Sequence, residues 1–311
     1  MRSSNFTIYF AVLTPLFFNT SANAEEYQFF LDAHAIDYER APDTIDSWGI
    51  NTTYYFDKKN SLGPLNEFSY INTSSFVFTN IRGSNETSWN EDLLSAGGMW
   101  NSGKLTLGGT ATVVNSDSQS GYNSGIASIG WFFTDNLYGK VDYHDIDDAE
   151  SYTTASLAYD YHLSGNDYIG STISYSEAPY GFDDSWFWNG KYFNDMGGRY
   201  LILSGGFSLH GSVDAATVSA AYYFNKRTGV QLSYANEESK ILSYSDESGW
   251  FNESSEERDK YVASIVHYFN TNTSLTLSYE QAESEISFHS NSDLNYSDTE
   301  KTYQIEFGLQ F

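Results

Sequence analysis

The chain has 311 residues, no cysteine and a formal charge of −26, with 41 acidic against 15 basic side chains. Without cysteine there is no disulfide framework, thiolate nucleophile or cysteine-held metal, and the acidity argues against nucleic acid as a partner, because binding it relies on basic surfaces. Aromatic residues make up 18% of the chain and Tyr alone occurs 26 times, a composition that suits strands and, for Tyr and Trp, the membrane interface.

Residues 1–24 are expected to be a secretory signal peptide. Met1-Arg2 precedes an apolar stretch centred on Phe10 to Phe18, followed by the small-x-small site Ala22-Asn23-Ala24. The stretch is shorter than the roughly 20 apolar residues of a spanning helix, and Thr14 and Pro15 argue against an anchor. Residues 25–311 are expected to form one domain. No other apolar run approaches helix-spanning length, so membrane entry would require a closed barrel, in which every backbone group is paired. Alternating strands dilute their own hydrophobicity, so a polar average is no objection.

The first strand is expected at about Tyr27 to Ile36. A unit then recurs: an aromatic cluster, a polar turn, an alternating strand. Tyr54-Tyr55-Phe56-Asp57 leads through Lys58-Lys59-Asn60 to Phe68-Ser69-Tyr70, and Met99-Trp100-Asn101 precedes Leu105-Thr106-Leu107. Trp131-Phe132-Phe133 leads to Leu137 to Tyr143, and Tyr159-Asp160-Tyr161 to Ile169 to Tyr175. Tyr222-Tyr223-Phe224 leads to Val230 to Tyr234, and His267-Tyr268-Phe269 to Leu275 to Tyr279. Two alternating runs joined by a few turn residues form a hairpin. The longer connections Asp145 to Glu150, Glu237 to Glu257 and Glu283 to Glu300 are expected as acidic loops at the opposite end.

The spacing between the clusters at Tyr161 and Phe224 is out of scale. Residues 178–212 are therefore either an extra hairpin or a long aromatic loop folded into a pore. Trp186, Trp188, Tyr192 and Arg199 would be its constriction or specificity residues, since aromatic faces stack on sugars; the plainer alternative is an interface belt.

The final residues alternate to the end. Tyr303, Ile305, Phe307, Leu309 and Phe311 share one face, and Gln304, Glu306, Gly308 and Gln310 share the other. With the recurring hairpins, this resembles the porin-like barrels of Gram-negative outer membranes, the general-porin family in particular. The resemblance covers essentially the whole chain after residue 24 and rests on architecture and repeat pattern. It implies an all-β, transmembrane, antiparallel up-and-down barrel of about 14 strands, with 16 as the alternative. It also implies that Phe311 is part of the signal read by the barrel assembly machinery, contact with outer-membrane lipids and lipopolysaccharide, and passage of small hydrophilic solutes. Trimers are common among such barrels, and monomers also exist.

With the greasier face of each strand against lipid, the other face supplies the pore lining. These are Asp32, His34, Lys140, Asp142, His144, Asp160, His162, His267, Glu280 and Glu306, with Thr106, Thr110, Thr172, Ser174, Ser233, Thr276 and Ser278 between them. Acids outnumber bases in this set, which predicts a mild cation preference. Neither a cofactor nor a metal site is expected, since Asp145-Ile146-Asp147-Asp148 lacks the spacing of a calcium loop. Enzyme chemistry is not expected either. His289-Ser290 and the acidic pair Asp183-Asp184 belong to polar loops, and triads are recognised by geometry rather than by proximity in sequence. The alternatives to a diffusion channel are a non-conducting structural or adhesive barrel and, behind it, an outer-membrane hydrolase.

Overall fold

Period-two alternation becomes sixteen antiparallel strands in the computed structural model, which describes residues 26–40, 43–85, 90–117, 121–147, 149–177, 184–211, 213–245, 250–288 and 296–311. The strands are β1 (Glu26–Arg40), β2 (Asp43–Asn60), β3 (Phe76–Asn85), β4 (Asn90–Ser102), β5 (Leu105–Ser116), β6 (Tyr122–Thr134), β7 (Leu137–Ile146) and β8 (Tyr152–His162). They continue as β9 (Tyr168–Ser176), β10 (Ser185–Asp195), β11 (Tyr200–His210), β12 (Val213–Asn225), β13 (Thr228–Ser245), β14 (Trp250–Tyr268), β15 (Thr273–Phe288) and β16 (Tyr296–Gln310). Each strand pairs with its neighbours in sequence, and β1 pairs with β16, closing an up-and-down barrel. The expected signal peptide lies outside the described residues.

Closure uses the alternating terminal strand. The β1–β16 register runs from Phe30↔Gln310 to Glu39↔Lys301. Beyond it, the Phe311 N–H donates to the Phe29 carbonyl at 2.8 Å, and the Phe311 carbonyl accepts from the Phe29 N–H at 2.9 Å. No sheet edge is left to pair with another chain or to expose polar groups to lipid.

The count is 16 rather than 14 because residues 185–210 are a hairpin, β10–β11, paired from Ser185↔His210 to Asp195↔Tyr200. Its turn uses Gly197 and Gly198, at φ 77° and 92°, and Asp195 Oδ1 accepts the N–H of both, at 2.9 and 3.1 Å. The signature was present in Tyr192-Phe193-Asn194-Asp195 before Tyr200 to Leu203, the same aromatic doublet and polar turn as the other copies.

Two expected loops are also strands. The acid-rich stretches Glu237 to Glu257 and Glu283 to Glu300 largely extend β13 to β16, which run 18, 19, 16 and 15 residues. A tilted membrane strand needs only about 9–11 residues, so these strands rise past the bilayer as a paired wall. Strand pairing requires backbone partners rather than an apolar face, and polar sequence therefore continues the ladder beyond the membrane. His289-Ser290 and Asp183 lie outside the described residues.

Adjacent residues of each aromatic doublet face opposite sides of the wall. Phe56, Trp100, Phe133, Tyr161, Phe224, Phe269 and Phe311 point outward as a ring beside the short connections and are exposed. Above them runs an exposed apolar band that includes Ile50, Leu94, Ile129, Leu157, Leu203, Leu232, Leu277 and Ile305. Short turns at one end and an aromatic ring beside them identify the periplasmic end of an outer-membrane barrel.

Candidate functional site

Residues directly opposite each other in an antiparallel ladder share a face, so the register assigns each side chain to the interior or the exterior. Nine of the ten expected lining residues face inward. His34 lies opposite Glu306, and Asp32 opposite Gly308, on the closing seam. Lys140 Nζ stands 2.8 Å from Asp142 Oδ2, and Ser128 Oγ donates to Asp142 Oδ1 at 2.6 Å. The His144 ring stacks on Tyr152 at 4.3 Å. Asp160 lies 3.6 Å from His162, and Glu280 pairs with Lys260 at 2.8 Å.

Sequence reasoning missed Arg82, Lys191, Arg258, Lys260 and Glu300. Arg82 lies opposite inward Gly49 on β2, and Arg258 pairs with Glu300. Hydroxyl and amide pairs fill the rows between, such as Ser95 with Thr112 at 2.8 Å and Thr106 with Tyr138 at 2.8 Å. The inner wall is thus polar and partly salt-bridged, with the acids Asp32, Asp142, Asp160, Glu280, Glu300 and Glu306 beside the bases Arg82, Lys140, Lys191, Arg258 and Lys260.

His267 faces the other way. It shares the outer face with exposed Ile265 and Phe269, its ring lies 5.2 Å from that of Phe269, and Val266 and Tyr268 point inward. Near the periplasmic end the interior is itself apolar, so the rule that the greasier face meets lipid inverts there.

The aromatic candidates of β10 lie on the outside of the wall. Trp186, Trp188 and Tyr192 alternate onto the outer face of β10. The Trp188 ring stacks on exposed Phe207 at 5.6 Å, and its Nε1 donates to Ser171 Oγ at 3.0 Å. Arg199 lies in the turn before β11. Replacing Trp186 and Trp188 by Ala is therefore expected to leave sugar flux in liposome swelling unchanged; a clear fall in flux would contradict the outward placement.

The segment that enters the interior is instead the connection between β2 and β3, residues 61–75. The expected strand Phe68-Ser69-Tyr70 is part of it and forms no sheet pairing. This segment, a strap, leaves β2 and crosses the interior. Near its root, Phe68 packs on Tyr27 and Phe30 of β1, with ring centroids 6.4 and 5.4 Å apart. Further round the wall, the Leu65 N–H donates to the Lys226 carbonyl at 3.0 Å and Asn66 Nδ2 to the Tyr223 hydroxyl at 3.0 Å, and opposite the root Tyr70 hydrogen-bonds Thr172 at 2.9 Å. Gln310 Nε2 donates to the Leu65 carbonyl at 3.3 Å. In a ring of sixteen strands, β9 stands about half-way round from β1 and β2, so the Tyr70 contact reaches the opposite wall, whereas Tyr223 and Lys226 lie part-way round the ring and Gln310 stands on β16 beside the root.

Glu67 is the polar centre of the strap. It is only 4% exposed, accepts the Tyr168 hydroxyl at 2.5 Å, and is held by Lys191 Nζ at 2.7 and 2.8 Å through its two oxygens. Under the strap lies an apolar cluster of Tyr168, Phe193, Tyr200, Ile202, Ala221 and Tyr223, packed by Leu62, Tyr70 and Val266. The fit is close: a β-carbon at Gly63 would overlap the Tyr200 ring, and one at Gly170 the Tyr70 ring.

Several solved barrels are similar. OprD of Pseudomonas aeruginosa is 9% identical over 93% of this chain and 94% of its own, with a TM-score of 0.52. CdiB of Acinetobacter baumannii is 10% identical over 90% of this chain and 60% of its own, with a TM-score of 0.56. Omp33 of the same organism is 12% identical over 93% of this chain and all of its own, with a TM-score of 0.46. At such identities the likeness concerns the fold. A search of curated proteins gives no match. Residues 11–254 match the family described as putative general bacterial porin, and with the polar lumen and closed sixteen-strand wall the chain belongs to that family, a multi-pass β-barrel channel protein of the outer membrane.

Proposed function

We propose that the protein is a channel for passive diffusion of small hydrophilic solutes and ions, with cations preferred over anions. The observation that carries this reading is the contrast between the two faces of one wall. The outer rows are apolar, while the inner rows carry ionised and hydroxyl side chains along strands around the circumference. An interior meant only to be packed would not repeat that arrangement, since buried charges are costly without water.

The preference for cations follows from the acidic excess on the inner wall, centred on Asp32 and Glu306 at the seam. In a planar bilayer under a KCl gradient, the reversal potential should take the sign of cation selectivity. Asp32→Asn with Glu306→Gln should move it toward zero, and lower ionic strength should enlarge the wild-type effect, because counter-ions screen the wall charges. An anion-selective potential would overturn the preference.

A second reading, a barrel closed in its resting state, is favoured by one observation: the strap lies across the periplasmic mouth.

A further inference from the structure

We propose that the strap, residues 61–75, is a displaceable stopper, that Glu67 is its latch, and that solute passes when the strap leaves the far wall. This rests on the diffusion-channel reading and adds its control point.

The strap is separable from the wall. All sixteen strands are paired without it, from β1–β2 round to β1–β16, so departure of residues 62–74 breaks no rung of the barrel ladder, while Ser75, whose carbonyl accepts the Phe56 N–H at 3.0 Å, stays with the wall. It enters no sheet itself. It is held to the wall beyond its root by one ion pair, a small number of hydrogen bonds and the Leu62 and Tyr70 contacts.

The latch is concentrated at one residue. Glu67 holds both Lys191 of β10 and Tyr168 of β9, the two strands facing its root. Its burial beside an apolar cluster makes the closed position depend on that pairing, because a buried carboxylate left without its cation is strongly disfavoured. On release, Glu67, Lys191 and Asn66 would return to water, where they are well solvated. The closed and open arrangements therefore differ by a handful of contacts rather than by refolding of the barrel.

Single-channel recording in molar KCl tests this on the refolded full-length chain, with heat-modifiable gel migration confirming the barrel in each variant. Glu67→Gln, which keeps the shape and removes the charge, should raise the open probability about tenfold or more. Gly170→Val, whose side chain would occupy the place of the Tyr70 ring, should do the same from the wall side. The chain has no cysteine, so Leu65→Cys with Lys226→Cys gives a clean lock at a point where the two backbones are hydrogen-bonded at 3.0 Å. The oxidised lock should be silent, and reduction should restore wild-type current.

Replacing 62–74 by a short Gly-Ser turn should give a large, steady conductance. Equal conductance in wild type and this variant would overturn the stopper while leaving the diffusion channel intact. An oxidised lock that conducts like its reduced form would also overturn it. Silence in every variant, including the one without the strap, would overturn the diffusion reading and the stopper with it.

Discussion

Replacing Phe193 with alanine is expected to destabilise the folded barrel by about 3–5 kcal/mol, the range for removing a buried aromatic ring. Phe193 has no exposed surface, and its ring lies 5.6 Å from that of Tyr168 and 6.0 Å from that of Tyr200. Little can collapse into the space, because the barrel wall fixes the backbones of β9, β10 and β11. In urea titrations followed by the loss of heat-modifiable migration, the midpoint should fall by about 1 M or more, given slopes of roughly 1–3 kcal/mol per molar. Since Tyr200 also meets the strap at Gly63, the same variant should conduct more often than wild type. An unchanged midpoint would mean that the cluster does not bear on stability.

Leu232→Arg and Ser233→Arg should behave oppositely although they are neighbours in sequence. Leu232 is 65% exposed on the outer face, and an arginine there would meet hydrocarbon at a cost of about 2–4 kcal/mol near the bilayer midplane. Ser233 lies opposite Ser219 and Val262 on the inner face, where a guanidinium remains hydrated. The first variant should lower the folded fraction in lipid vesicles, and the second should fold normally and shift the reversal potential toward anions. Equal destabilisation of both would contradict the assignment of faces.

Most of the wall was legible in the sequence. Strand parity between Leu137 and His144, or between Tyr303 and Phe311, is unbroken, and a two-residue period leaves only one choice once one face must meet lipid. This is why the inward parity of nine of the ten residues could be assigned by alternation alone. His267 escaped for the same physical reason: parity needs to know which side is apolar, and beneath the strap both sides are. The hairpin at Ser185 to His210 was legible in principle from Tyr192-Phe193-Asn194-Asp195, but Trp186 and Trp188 drew attention toward the lumen although their alternation faces lipid.

Ion partners could not be read at all. Lys260 and Glu280, or Arg258 and Glu300, are brought together only by the register of β14 against β15 and of β15 against β16. The strap was least visible. Its segment Ser61 to Ser75 carries no period, since its residues answer to a curved inner surface rather than to a pleat.

By itself, then, the sequence determined the alternation, the hairpins, the aromatic rings and hence a membrane barrel, because these are local consequences of a two-residue repeat meeting two solvents. Only the tertiary structure decided the strand count at sixteen, the pairing of charges across strands and the seating of Glu67 against Lys191 and Tyr168. Those depend on closure. Until β1 meets β16, no residue has an opposite wall, and a connection between two strands has nothing to cross.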